Sequence, residues 1–168
     1  TPEIYTLSLH DALPISPIPR EPGLLAHIIE CSRGFRTFEE LESKTSVLFA
    51  PDDSYAFDPK AVEKVLHKGD GAGLAVLAEL KGELAAVSDW TVAPLHQWLE
   101  AFCQRRELGM GKVAQPIRVA VTGGTISPPI ADTLVFLGKE RTLARIERCL
   151  RECQDRKSTR LNSSHRIR

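Results

Sequence analysis

Leu74, Leu77, Leu80, Leu84 and Val87 recur at spacings of three and four residues. Side chains three and four apart share one face of an α-helix, so the run forms an apolar stripe that another element must cover. The same spacing returns in Val92, Leu95, Leu99 and Phe102, in Ile130, Leu134 and Leu137, and in Leu143, Ile146 and Leu150. A chain built this way reads as helix after helix.

The starts and stops agree with that reading. Leu24–Ser32 is a short apolar segment that reads as the end of a helix. Thr37-Phe38-Glu39-Glu40 has the spacing of a capping box, in which hydroxyl and carboxylate satisfy the free N–H groups of a helix start. This helix is predicted to run to about Phe49 and to end before Pro51. Asp58-Pro59 is a second start, a cap followed by Pro at the first helical position. Ala61, Val62, Val65 and Leu66 give it a buried face, and Gly69 stops it. Gly82 weakens the next helix by roughly 1 kcal/mol relative to Ala. Thr91 is predicted to cap the helix after it and Gly109 to end it. Val113–Thr122 is ambiguous, because Val119 and Val121 alternate as in a strand. Ser127-Pro128 is predicted to cap a further helix. The last helix covers Lys139–Cys153, with Arg141, Arg145 and Arg148 on faces away from the core. About seven short helices with short connections predict an all-α bundle or cage. No internal repeat of fixed period is present.

Composition narrows the function. The chain has 22 basic and 22 acidic residues, but they are unevenly distributed. Residues 23–90 carry a net charge of −5 and residues 91–154 a net charge of +3, so the second half is the better electrostatic candidate for a polyanion. No apolar run approaches the roughly 20 residues of a membrane span. Cys31, Cys103, Cys149 and Cys153 make no Cys-x-x-Cys pair. Cys149 and Cys153 are one helical turn apart, a spacing open to a metal, yet reduced thiols of a cytoplasmic protein are the plainer reading. His27, His67 and His96 lie far apart, with no spacing that links them to a nucleophile or carboxylate. Gly109-Met110-Gly111-Lys112 lacks the spacing of a phosphate loop. No catalytic residue and no metal site is predicted.

A binding reading has more material. Gly123-Gly124-Thr125-Ile126-Ser127-Pro128-Pro129 is a loop that opens a helix, where free N–H groups suit a phosphate or a base edge. Arg118 precedes that loop, and an arginine can stack on an unpaired base or fork onto a phosphate. The plain alternative is a Ser127 that only caps its helix and a solvated Arg118. Trp90 and Trp98 offer stacking faces but read more simply as core.

The strings Gly111-Lys112-Val113-Ala114-Gln115-Pro116-Ile117-Arg118-Val119-Ala120-Val121-Thr122-Gly123 and Gly138-Lys139-Glu140-Arg141-Thr142-Leu143-Ala144-Arg145-Ile146, together with Ser88-Asp89-Trp90-Thr91, resemble the C-terminal region of bacterial glutamyl-tRNA synthetases. The resemblance covers nearly all of residues 22–154. It implies an α-helical anticodon-binding cage in two subdomains, 22–88 and 89–154, and a helix over the ambiguous Val113–Thr122. It places Gln115, Arg118, Ser127, Pro128, Pro129 and Ile130 at anticodon contacts, with Arg33, Arg36, Arg141 and Arg145 as further tRNA contacts. The implied partner is tRNA-Glu, with tRNA-Gln a second candidate, bound by a monomer in the cytoplasm without DNA or membrane. ATP and Mg²⁺ belong to the family's catalytic domain. Its His-Ile-Gly-His and Lys-Met-Ser-Lys-Ser motifs are absent here, so this part is expected to be inactive alone. A free-standing tRNA-binding module and a purely structural helical domain are the alternatives.

Two positions depart from the family. Pro129 stands where Gly is common and removes a backbone N–H. Gly34 falls at an anticodon-reading Arg, with Arg33 and Arg36 beside it. The ends are unlike the rest. Tyr5–Ser16 and Asp155–His165 resemble in-frame translations of sequencing-library adapters, so residues 1–21 and 155–168 are expected to be non-native, disordered tails.

Overall fold

The computed structural model describes Ala26, Glu30, Thr37 and residues 45–164, with side chains as far as Gln154. Among the described residues the regular structure is helical throughout, as the apolar period predicts. Residues 45–49 are helical and the chain bends at Ala50, before Pro51. Thr37 is a bend residue, and the rest of its box, residues 38–40, lies outside the described set.

Helix α1, Pro59–Ala61, starts as predicted: the Asp58 carboxylate accepts from the Lys60 N–H at 3.0 Å and Pro59 takes the first helical position. It continues as a π-helical turn, Val62–Leu66, in which His67 N–H donates to the Val62 carbonyl at 3.0 Å. Helix α2, Lys68–Ala86, begins with a break, because Gly69, Asp70 and Gly71 all have positive φ. Past it, Leu74, Leu77, Leu80 and Leu84 are buried, as the period requires.

Helix α3, Val92–Arg105, corrects two details. Thr91 holds the cap position, but its hydroxyl donates to Asp89 Oδ1 at 2.8 Å and caps no N–H. The helix ends at Arg105, and Glu107 makes the left-handed turn with φ 52°. Gly109 is instead the N-cap of helix α4, Met110–Thr122.

Helix α4 resolves the ambiguous stretch. Val113, Ala114, Pro116, Ile117, Val119, Ala120 and Val121 are all buried. A helix apolar on most sides is a central helix, and its valines alternate only because both faces are covered. It packs on the π-turn, on α2 and α3, and on the two helices that follow, α5 (Ile130–Leu137) and α6 (Lys139–Ser164). Its C-terminus is fixed by Gly123 at φ 79°, where a Cβ would lie 2.3 Å from the Ala56 carbonyl oxygen.

Ile130, Leu134 and Leu137 of α5 point inward, as does Ile146 of α6, while Leu143 and Leu150 are half-buried. Trp90 is half-buried and donates its indole N–H to the Leu134 carbonyl at 2.9 Å. Trp98 stacks at a tilt on Phe102, 5.6 Å between ring centroids. The backbone of α6 extends ten residues past Gln154, into the stretch expected to be a disordered tail. Neither Pro nor Gly interrupts 139–164, so nothing local breaks the helix there.

Candidate nucleic-acid interface

Gln115 and Arg118 stand three residues apart on α4, on the part of its surface the core does not cover. Both are half-buried. The Gln115 Oε1 atom is shut from solvent and accepts no hydrogen bond. A buried acceptor without a donor costs about 1–3 kcal/mol, a cost relieved when the half-buried side chain turns outward to meet a donor. Burial also lowers the Arg118 pKa. The guanidinium stays protonated at neutral pH but is already partly stripped of water. Its Nε donates to Ser127 Oγ at 3.2 Å, which fixes the side chain against the loop.

The loop differs from expectation at the cap. Ser127 does not cap α5: its hydroxyl donates to the Pro128 carbonyl at 2.8 Å, and the N-cap position falls on Pro129. The reason is local. A residue before proline is disfavoured in the α region, so Pro128 before Pro129 delays the helix to Ile130. Buried Thr133 reaches back instead, its hydroxyl 3.0 Å from the Pro129 carbonyl and 3.1 Å from that of Pro128. Pro128 and Ile130 are buried and Pro129 is exposed. Ile126, to which the sequence assigned no role, is 55% exposed, a large apolar side chain beside Arg118's serine.

The two α6 arginines expected at tRNA bind groups of this chain. Arg145, expected at tRNA, is 0% exposed. It donates to Asp52 Oδ1 at 2.6 Å and to the carbonyls of Val47, Ala50 and Val121 at 2.9, 2.8 and 2.7 Å. Arg141, the other expected contact, binds Asp52 and the carbonyls of Leu48 and Ala50. Arg148 binds those of Asp52 and Tyr55. Residues 45–55 leave a helix end and a loop of unpaired carbonyls, and guanidinium groups carry enough donors to satisfy them. Partial burial raises the Asp52 pKa, but hydrogen bonds and charge from Arg141 and Arg145 outweigh it and hold the carboxyl below its ordinary value. Tyr55, beneath Arg145 and Arg148, is pushed up by burial and donates to the Ala120 carbonyl at 2.6 Å. Arg33 and Arg36 lie outside the described residues.

What the sequence reading passed over is a row of lysines. Lys60, Lys64 and Lys68, from the acidic first half, line a cavity of about 780 Å³ together with Lys112 and Gln115. Their four-residue spacing was the available signal.

The cysteines do not form a described metal site. Cys149 and Cys153 are buried with sulfurs 3.9 Å apart, and Cys149 is pushed up by its contact with Cys153 and by burial. His67 binds the Cys153 carbonyl rather than a sulfur, at 3.1 Å. Among the described residues no three His, Cys, Asp or Glu side chains converge as metal ligands, and no helix is long and apolar enough to cross a membrane.

Fold and site together define an all-α binding domain organised around one central helix. Residues 10–150 match the family of anticodon-binding domains. The chain belongs to the anticodon-binding domain family. It is 37% identical over 144 residues to the glutamate–tRNA ligase of Thermus thermophilus, covering 81% of this chain and 29% of that protein. It is 40% identical over 131 residues to glutamate–tRNA ligase 1 of Acidithiobacillus ferrooxidans, covering 77% and 26%. A crystal structure of a glutamate tRNA ligase from Elizabethkingia meningosepticum superposes with a TM-score of 0.66 at 24% identity, over 80% of this chain and 25% of that one, and shows the fold. The chain thus spans about a quarter of the length of these relatives.

Proposed function

We propose that the chain binds the anticodon loop of tRNA-Glu in the cytoplasm, as the tRNA-reading part of a glutamate–tRNA ligase. The observation that carries this reading is the pair on α4: Arg118, half-desolvated and held by Ser127, and Gln115, whose buried Oε1 lacks a donor. Anticodon bases leave their stack and present N–H and carbonyl groups on their edges. Gln115 would accept from one base and Arg118 would fork onto, or stack on, another, beside the apolar surface of Ile126 and Pro129. Recognition of tRNA-Gln belongs to the same proposal, because Gly34 stands where the family reads a base with Arg.

Among the described residues no three His, Cys, Asp or Glu side chains gather to hold a Mg²⁺ ion. We assign ATP use and glutamate transfer to a catalytic domain outside this sequence, and expect no ligation by this chain alone. The test is binding of an anticodon stem–loop RNA, with its three anticodon bases exchanged in turn. Arg118→Ala is expected to weaken binding about ten- to hundredfold and to erase discrimination at one base. Equal binding of all exchanged loops by the unaltered chain would leave a structural helical domain as the better description.

A further inference from the structure

Lys60 and Lys64 project from α1 and its π-turn, Lys68 from the start of α2, and Lys112 from the facing α4, all exposed and all lining the same cavity. Among the described residues Asp58 is the only acidic one in the lining, and its carboxylate accepts from the Lys60 backbone N–H. Four ammonium groups therefore meet one carboxylate in a chain whose formal net charge is zero. Among the described residues, none of the ion pairs takes up Lys64, Lys68 or Lys112. Val65, Val76, Leu108 and Pro116 give the cavity an apolar floor. Gln115 also lines the cavity, three residues before Arg118 on α4.

We propose that this lysine-walled cavity is a second nucleic-acid site, which holds consecutive phosphates of the single-stranded RNA flanking the bases met by Gln115 and Arg118. The inference rests on the anticodon reading for its partner and deepens it by naming the phosphate track. The row geometry favours a chain of phosphates over one small anion. Lys60, Lys64 and Lys68 come from α1, the π-turn and the start of α2 in turn, so three successive pieces of the chain each bring a charge to the same cavity. Lys112 adds a fourth from α4, and the floor accepts ribose or base. The π-turn gives this wall its own local geometry, and such turns recur at functional sites.

The test measures binding of the full 168-residue chain to an anticodon stem–loop RNA at several salt concentrations. The unaltered chain is compared with a Lys60→Gln, Lys64→Gln, Lys68→Gln triple variant, its Lys→Arg counterpart, and Lys112→Gln. Each single-strand phosphate contact adds about 0.7 to the slope of log K against log salt. The triple Gln variant is expected to lower the slope by about 2 and to weaken binding on the order of a hundredfold near 0.1 M salt. Lys112→Gln is expected to lower the slope by about 0.7, and the Arg variant to keep it. Lys81→Gln, outside the cavity and paired with Glu147 at 3.3 Å, is expected to leave it unchanged. These lysines are exposed, and an unchanged melting temperature shows that the fold survives. An unaltered slope with anticodon discrimination intact overturns the lysine site alone. A lowered slope without discrimination upholds the lysine site and removes the anticodon reading. Absence of RNA binding by the unaltered chain overturns both.

Discussion

The buried guanidinium of Arg145 donates to the Val121 carbonyl at 2.7 Å, and so ties α6 to the end of the helix that carries Gln115 and Arg118. The same side chain holds Val47, Ala50 and Asp52 on its other side. Arg145 thus joins three stretches of chain remote in sequence, behind the surface proposed to meet RNA.

Removing Arg145 should therefore damage stability before it affects binding. A buried carbonyl that loses its hydrogen-bond donor costs about 1–3 kcal/mol. Arg145→Met should lose at least about 3 kcal/mol in urea unfolding, because three carbonyls lose a donor. Arg145→Lys should not restore it, since one ammonium cannot reproduce the guanidinium fork. A loss below about 1 kcal/mol for Arg145→Met would show that water replaces the network.

Asp52 gives that network a pH dependence. Its folded-state pKa lies below the ordinary 3.8. For a depressed carboxylate, the stabilisation is complete above the unfolded value and disappears as pH falls through the folded one. Melting temperature should thus decline below about pH 4, and Asp52→Asn should flatten part of that decline. The side chain is 35% exposed, so solvent screening keeps its share small. Parallel profiles for the two proteins would remove Asp52 from the account.

Gly123 should not accept a side chain. Its φ of 79° and the 2.3 Å approach of the Ala56 oxygen to a built Cβ act together. Gly123→Ala should cost at least about 2 kcal/mol from the left-handed backbone and the clash. The shift in thermal midpoint measures it, and a neutral variant would mean that the 55–58 segment yields.

Thr133 holds the proline loop from below. Thr133→Val keeps the volume but removes the hydroxyl that reaches Pro128 and Pro129, which should cost about 1 kcal/mol. Because that loop carries Ser127, the partner of Arg118, RNA affinity should fall with it. Stability lost with affinity unchanged would separate the loop from the site.

The thiols should be inert in the folded chain. Cys149 and Cys153 are inaccessible, and Cys149 is pushed up by its partner and by burial, which suppresses the reactive thiolate. Titration with a thiol-specific reagent should modify them only as the protein unfolds, whereas prompt reaction of both would show that α6 opens readily.

Local pattern accounts for most of the described helices and for many of their inward faces, but not for the π-turn or the break at Gly69–Gly71. Leu74, Leu77, Leu80 and Leu84 are buried because a 3.6-residue period admits no other placement, and Asp58-Pro59 starts a helix through purely local bonds. The pair Gln115 and Arg118 was legible through the family-like string around it. Tertiary structure alone decided which charges face out. Arg145 carries the same charge as a surface arginine, and only the unpaired carbonyls of residues 47–55 and the C-terminal end of α4, brought together by folding, draw it inside. Lys60, Lys64 and Lys68 lie in the acidic half, yet packing of the π-turn and α2 against α4 brings them to one cavity with Lys112. Net charge along a chain sums over neighbours in sequence, whereas a ligand meets neighbours in space. That difference is why the basic wall emerged only from the fold.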